Sequence, residues 1–245
     1  MTKNPKRINC LQSIIYVVGV ISAVCFIHYQ NVKWYFDEFD SRAHHEQLHT
    51  DLYNITARTL ALLDGHVTVW AIAGTALGAA RHQSLIPWDD DVDFGYFMND
   101  TEKLKQLNWT GSGLRFVSSA VGFLVFNMHL SFKSLKNPGI LELFQCRDRD
   151  GLVEYATPAR NYWPHETLRW KKLFPLKKGA FGPLLIPVAN DLDEQCRRAF
   201  GPFYMTHAKV KLNHGARYKF LWLSNPFILL FHPGHVVVYD NAVRF

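Results

Sequence analysis

The chain has 245 residues, 48% of them hydrophobic and 20% charged, with a formal net charge of +6. That length and apolar content allow one sizeable core and exclude a wholly disordered chain. The positive charge is mild and scattered, which excludes a dense nucleic-acid-binding stripe and suits an acidic small substrate such as a nucleotide or phosphate ester.

At the N-terminus, Lys3, Lys6 and Arg7 precede a stretch from Ile8 to Ile27 that carries no charge. About 20 helical residues at ~1.5 Å each span the hydrocarbon core of a bilayer. Basic residues before the span predict a cytosolic tail over 1–7, a transmembrane signal anchor over 8–28, a short stem over 29–47 and a luminal domain over 48–245. A cleaved signal peptide is the alternative, but the run is long for one and no A-x-A-like site follows it. Three glycosylation sequons agree with a luminal domain: Asn54-Ile55-Thr56, Asn99-Asp100-Thr101 and Asn108-Trp109-Thr110. The domain's two cysteines, Cys146 and Cys196, either pair in an oxidising lumen or stay as buried thiols.

Val32 to Asp64 reads as helix, with Leu48, Leu52, Ile55, Thr59 and Leu62 along one face. His44, His45 and His49 lie on it as exposed histidines, with no third ligand group to make a zinc site. Val67 to Ala73 predicts a buried strand, Gly74-Thr75 break it, and Ala76 to Arg81 form the next helix. Val92 to Phe94 lies in a strand, Thr101 to Leu107 in a helix, and Val117 to Leu130 in paired strands that bend near Gly122. Ile140 to Phe144 is a further strand, and residues 151–173 are mixed. Phe174 to Val188, with its Pro and Gly, reads as loops and short strands. Asp191 to Tyr204 reads as a helix capped by Asp191 or Asp193. His232 to His235 predicts a turn before a strand over Val236 to Tyr239, and Phe227 to Phe231 is too short to cross a bilayer.

The chemistry concentrates in Pro87-Trp88-Asp89-Asp90-Asp91-Val92-Asp93. Four carboxylates this close repel one another at neutral pH unless a cation or strong donors compensate. Strand alternation predicts Asp89, Asp91 and Asp93 on one face and Asp90 on the other. Three oxygen ligands on one face suit a hard divalent cation, Mg²⁺ or Mn²⁺. The plainer alternative is a solvated acidic turn. The cluster follows a strand–Gly-Thr–helix unit, in which the tight turn and the helix's free N–H groups suit an anion. Glu142, inside the apolar run Ile140-Leu141-Glu142-Leu143-Phe144, is either a solvent-facing edge residue or a third acid of the site.

Gly74-Thr75-Ala76-Leu77-Gly78-Ala79-Ala80-Arg81-His82, followed by Ile86-Pro87-Trp88-Asp89-Asp90-Asp91-Val92-Asp93, resembles the signature of the LicD/fukutin family of phosphotransferases, which have the nucleotidyltransferase fold. Phe174-Pro175-Leu176-Lys177-Lys178, then Phe181, Ile186-Pro187-Val188 and Asn190-Asp191, is similar to a second family segment, with Phe200-Gly201 in place of a Tyr-Gly pair. The resemblance covers roughly residues 48–205 and leaves the last forty or so uncovered. It implies an α/β (α+β) fold, a mixed sheet flanked by helices. It implies Asp91 and Asp93 as metal acids, Asp89 as their helper and Glu142 as the third acid, these four being the catalytic and metal set. It places Gly74, Thr75, Arg81 and His82 on the donor side; Lys177 and Lys178 are either donor-phosphate contacts or solvated surface charge. It implies transfer of phosphocholine or an alditol or sugar phosphate from a CDP-linked donor to a hydroxyl of a glycan or glycoprotein. It implies a Golgi-like, single-pass type II location and no nucleic-acid partner. This chain departs from the fukutin-like members in being far shorter and in lacking a Cys-rich zinc site. A true nucleotidyltransferase, or a non-catalytic glycan-binding scaffold of the same fold, are the alternatives.

Overall fold

The computed structural model describes residues 10–43, 46–87, 89–128, 139–209 and 236–238. The predicted cytosolic tail, His44, His45, Trp88, the end of the second paired strand at Leu130, the run Phe227 to Phe231 and the turn His232 to His235 lie outside the described residues. The chain forms two units, one of residues 1–41 and 210–235, the other of residues 42–209 and 236–245.

In the first unit, α1 (Cys10–Ala43) is a continuous helix whose apolar side chains from Ile14 to Ile27 are exposed. Among the described residues no helix is long and apolar enough to cross a membrane. The helix expected over Val32 to Asp64 is divided between α1 and α2 (Glu46–Leu63).

The second unit is built on a mixed sheet. Its strands are β1 (Val69–Ala71), β2 (Asp91–Phe97), β3 (Leu114–Ser118), β4 (Gly122–Asn127), β5 (Ile140–Arg149), β6 (Leu152–Tyr155) and β7 (Leu168–Arg169). They run in the order β1-β2-β5-β4-β3, with β6 on the far part of β5 and β7 on β6. The pair β2–β5 is parallel and the other pairs are antiparallel. The β3–β4 hairpin fulfils the paired strands expected from Val117 onward, and β5 runs five residues past the predicted end at Phe144. Beside the sheet stand a short hairpin of β8 (Lys177–Phe181) and β9 (Leu184–Val188), and a pair of β10 (His207–Lys209) and β11 (Val236–Val238).

The sheet's two faces follow from period-2 alternation. Val92, Phe94 and Tyr96 of β2, with Leu141 and Leu143 of β5 and Phe123 and Val125 of β4, pack with Leu52, Ile55 and Leu63 of α2. Each such side chain contributes about 1.5–3 kcal/mol on burial, so this face fixes the register of the strands. The opposite face carries Trp70, Ile72, Phe144, Cys146, Val153 and Tyr155. Trp70 lies over β2 because Gly95 has no side chain there: a Cβ at Gly95 would sit 2.7 Å from the indole. This second face also receives the odd-numbered acids of β2.

After β1 the chain enters α3 (Ala73–Leu77) and a π-helical turn, Gly78–His82. Gly74 and Thr75 therefore lie in the first turn of the helix, where a break between strand and helix was expected. The break falls at Ile72, whose extended backbone precedes α3. A 3₁₀ turn, Met98–Asp100, leads into α4 (Thr101–Gln106). Two four-residue helices, α5 (Ala159–Tyr162) and α6 (Trp170–Leu173), flank β7. The helix α7 (Leu192–Phe200) begins at Asp191, whose carboxylate accepts the Glu194 N–H at 3.1 Å, so the cap is Asp191 and not Asp193.

Candidate active site

The register of β2 on β5 sets Asp93 beside Glu142, and Asp91 beside Ile140 one step earlier. The strands are parallel, so Asp93 and Glu142 project from the same face of the sheet. Glu142 is thus no solvent-facing edge residue, because β5 is flanked by β2 and β4. Two acids 49 residues apart in sequence meet because β5 inserts next to β2.

Asp89 and Asp90 precede the strand, and alternation does not govern them. Asp89, Asp90 and Asp91 each offer an oxygen within 4.8 Å of the others. Asp90 therefore joins the cluster, where strand alternation had put it on the opposite face; β2 starts only at Asp91. Asp89 lies against α3: a Cβ at Gly74 would come 2.7 Å from its Oδ2. Glycine at 74 makes room for a carboxylate, which is a steric role beside the anion-binding one expected of it.

Thr75 is buried, and its hydroxyl oxygen accepts the Asp93 N–H at 2.8 Å. The Ile72 N–H in turn donates to the Asp93 carbonyl at 3.2 Å. The Thr75 hydroxyl thus clamps the acid-bearing strand to α3.

The electrostatics are unusual for a folded interior. Burial, then the charges of Asp91, Glu142, Asp89 and Glu166, push the Asp93 carboxyl well above the usual carboxylate range. Burial, then Asp91 and Asp90, do the same to Asp89. Oxygen-only donors, clustered and mutually repelling, fit a hard divalent cation such as Mg²⁺ or Mn²⁺.

Glu166 was not foreseen from the sequence. It sits in the segment before β7, and its Oε2 accepts the Tyr155 hydroxyl at 2.7 Å. The run Trp163-Pro164-His165-Glu166 has no periodicity, so nothing local marks its acid as one whose charge is felt at Asp93. Glu166 and Tyr155 also line a cavity of about 30 Å³, together with Ile72, Ala73, Gln195 and Cys196. A space of that size takes one or two waters. Asp89, Asp90, Asp91, Asp93 and Glu142 do not line it, and they mark the site better than the cavity does. Cys146 and Cys196 line it too, as free buried thiols.

The remaining expected residues are placed as follows. Arg81 donates from Nη1 to the Tyr204 carbonyl at 3.0 Å and from Nε to His82 Nε2 at 3.0 Å. Burial, helped by the Arg81 charge, pushes the His82 pKa down to about 4, so His82 is a neutral acceptor at physiological pH. Lys177 and Lys178 are exposed on the β8–β9 hairpin, and Lys177 Nζ donates to the Asn190 carbonyl at 2.5 Å. The structure therefore brings Asp89, Asp90, Asp91, Asp93, Glu142 and Glu166 together, and uses Arg81, His82 and Lys177 to tie other segments down.

Residues 66–191 match the family model described as LicD/FKTN/FKRP, nucleotidyltransferase domain. An uncharacterized protein of Rickettsia prowazekii, RP689, is 29% identical over 180 residues, covering 69% of this chain and 61% of that protein. The human ribitol 5-phosphate transferase FKRP is 45% identical over 47 residues, 19% of this chain and 10% of FKRP. The mouse ribitol-5-phosphate transferase FKTN is 29% identical over 133 residues, 52% of this chain and 28% of FKTN. The matches thus span less than two thirds of each of these relatives. Among solved structures, ANT(2")-Ia in complex with adenylyl-2"-tobramycin superposes with a TM-score of 0.38 at 16% identity, over 55% of this chain and 66% of that one.

Proposed function

The chain belongs to the LicD/FKTN/FKRP family of nucleotidyltransferase domains, and from that premise we propose that it is a phosphotransferase acting on glycans. The donor in this reading is CDP-linked, and the group moved is phosphocholine or an alditol or sugar phosphate. The acceptor is a hydroxyl of a glycan or glycoprotein. The observation that carries the reading is the pairing of Asp93 with Glu142 in register, next to the cluster of Asp89, Asp90 and Asp91.

The acceptor oxygen attacks the donor phosphorus, the phosphorus–oxygen bond to CMP breaks, and CMP leaves. A Mg²⁺ or Mn²⁺ ion held by Asp91, Asp93 and Glu142, with Asp89 helping, would supply positive charge against the phosphoryl oxygens and the leaving group. Glu142 or Asp89 takes the proton of the acceptor hydroxyl. Thr75 keeps Asp93 in place by fixing its backbone, and Gly74 leaves Asp89 the space it occupies. Donor contacts by Arg81, His82, Lys177 and Lys178 remain part of the proposal; the partners that Arg81 and Lys177 hold would have to be shared with a ligand.

A single-pass type II anchor in a secretory membrane, Golgi by family likeness, completes the reading. It is supported by the uncharged stretch Ile8 to Ile27 and by the exposure of its apolar side chains from Ile14 onward.

The test uses the full chain in detergent with Mn²⁺ or Mg²⁺ and a panel of CDP- and UDP-linked donors. Metal-dependent release of CMP with transfer to a glycan is expected. Release of pyrophosphate from a nucleoside triphosphate would instead identify a true nucleotidyltransferase, a reading favoured by the name of the matching domain. A folded chain that binds no donor with or without metal would point to a scaffold.

A further inference from the structure

The three sequons share one motif and occupy different structural settings. Asn54 lies in the middle of α2, and the hydroxyl residue of its sequon, Thr56, is fully buried beneath the helix. An oligosaccharyltransferase must read that hydroxyl as well as the amide, and the packing of α2 on the sheet withdraws it. Asn108 is exposed but folded onto its own turn. Its Oδ1 accepts the Gly111 N–H at 2.9 Å, and a Cβ at Gly111 would fall 2.3 Å from its Nδ2. The nitrogen that would carry the sugar thus faces backbone.

Asn99 differs from Asn54 in its sequon hydroxyl and from Asn108 in its amide. It occupies the 3₁₀ turn Met98–Asp100 between β2 and α4 and is exposed. Its side chain makes no hydrogen bond among the described residues. The residues around it hold the turn without it: Lys103 Nζ meets Asp100 Oδ1 at 2.7 Å, and Thr101 Oγ1 donates to the Met98 carbonyl at 2.6 Å. Thr101 is partly exposed and lies on the same turn as the amide, with its hydroxyl held locally by the Met98 carbonyl and by Gln145 Nε2 at 3.5 Å. Asn99 also lies beyond the C-terminal end of β2, while the acids lie at its start. From Asp93, the last of these acids, four strand steps lead to Phe97, roughly 13 Å of extended chain. A bulky substituent there leaves the acid cluster uncovered.

We infer that Asn99 carries an N-linked glycan, and that it alone of the three sequons does so. The inference rests on the luminal placement proposed above. The co-substrate is a lipid-pyrophosphate-linked oligosaccharide. The Asn99 amide nitrogen forms a bond to the anomeric carbon and loses a proton, while the bond from that carbon to the pyrophosphate oxygen breaks and the lipid pyrophosphate leaves.

The experiment expresses the full chain in a eukaryotic secretory cell with an efficient Asn-Gly-Thr reporter sequon appended at the C-terminus. Electrophoretic mobility is read before and after peptide N-glycosidase. The expected result is two glycans on the wild type, one on Asn99→Gln and on Thr101→Val, and two on Asn54→Gln and Asn108→Gln. Two glycans on Asn99→Gln, or a wild type bearing the reporter glycan alone, would overturn the inference and leave the luminal reading standing. A wild type with neither glycan would overturn the luminal reading, and this inference with it.

Discussion

Two buried carboxylates sit on neighbouring parts of one sheet and are treated in opposite ways. Glu154, on β6, is almost fully buried and lies between two guanidinium groups, Arg147 at 2.9 Å and Arg160 at 2.9 Å. Asp93, on β2, is also buried, and the charges around it are those of Asp91, Glu142, Asp89 and Glu166. At Glu154 the chain supplies its own cations and the acid is structural. At Asp93 the chain adds more negative charge, a cost to stability that makes sense where a bound cation completes the site. Burial alone does not separate a structural acid from a working one; the sign of the neighbouring charge does.

The sharpest way to break this contrast is to neutralise each acid's surroundings in turn. Asp93→Asn should lower transfer activity on the order of a thousandfold while leaving the melting temperature of the metal-free protein unchanged or higher. A large loss of stability instead would make Asp93 a structural acid like Glu154. Next in size, the double variant Arg147→Ala, Arg160→Ala strands a buried charge and should cost about 3 kcal/mol in urea unfolding. Activity per folded molecule should stay near wild type, and loss of activity without loss of stability would move the two arginines into the site.

A subtler change is Gly74→Ala, which pushes a methyl group onto Asp89 Oδ2. Metal affinity by calorimetry should fall about tenfold, with little change in unfolding. The smallest effect is in pH. Asp93 titrates above its ordinary value of 3.8 in the folded state, so between those two values the folded chain holds the extra proton. Its contribution to stability is therefore lost as pH rises through that window. The metal-free wild type should gain stability relative to Asp93→Asn as pH is lowered from neutral toward the carboxylate range. Mn²⁺ should flatten the difference at neutral pH. A gap that does not move with pH would remove the repulsion from the account.

The acid pair was legible because strand alternation and an acid within an apolar run are local signals. Asp91, Asp93 and Glu142 needed only the pairing of β2 with β5 to become a site. Asp90 was misplaced because alternation was extended two residues ahead of the strand's first residue, Asp91. Gly74-Thr75 were read as a turn, since Gly marks breaks; packing against β2 lets the helix begin at Ala73 instead. Glu166 was invisible because it lies in a loop, and its carboxylate is held by the Tyr155 hydroxyl of β6. The Asp150-Gly151 dipeptide between β5 and β6, both residues at positive φ, was a readable hairpin signal that would have revealed β6 and so Tyr155.

The single hydrogen bond from the Asp93 N–H to Thr75 Oγ1 has a thermodynamic consequence. It makes α3 and the start of β2 one mechanical piece. Any ligand that shifts α3 must also shift the carboxylates, and any cation that draws the carboxylates together must pull on α3. If a cation binds at the carboxylates and a ligand at α3, their affinities are linked, and the linkage is reciprocal: whatever factor the first adds to the second's affinity, the second adds to the first's.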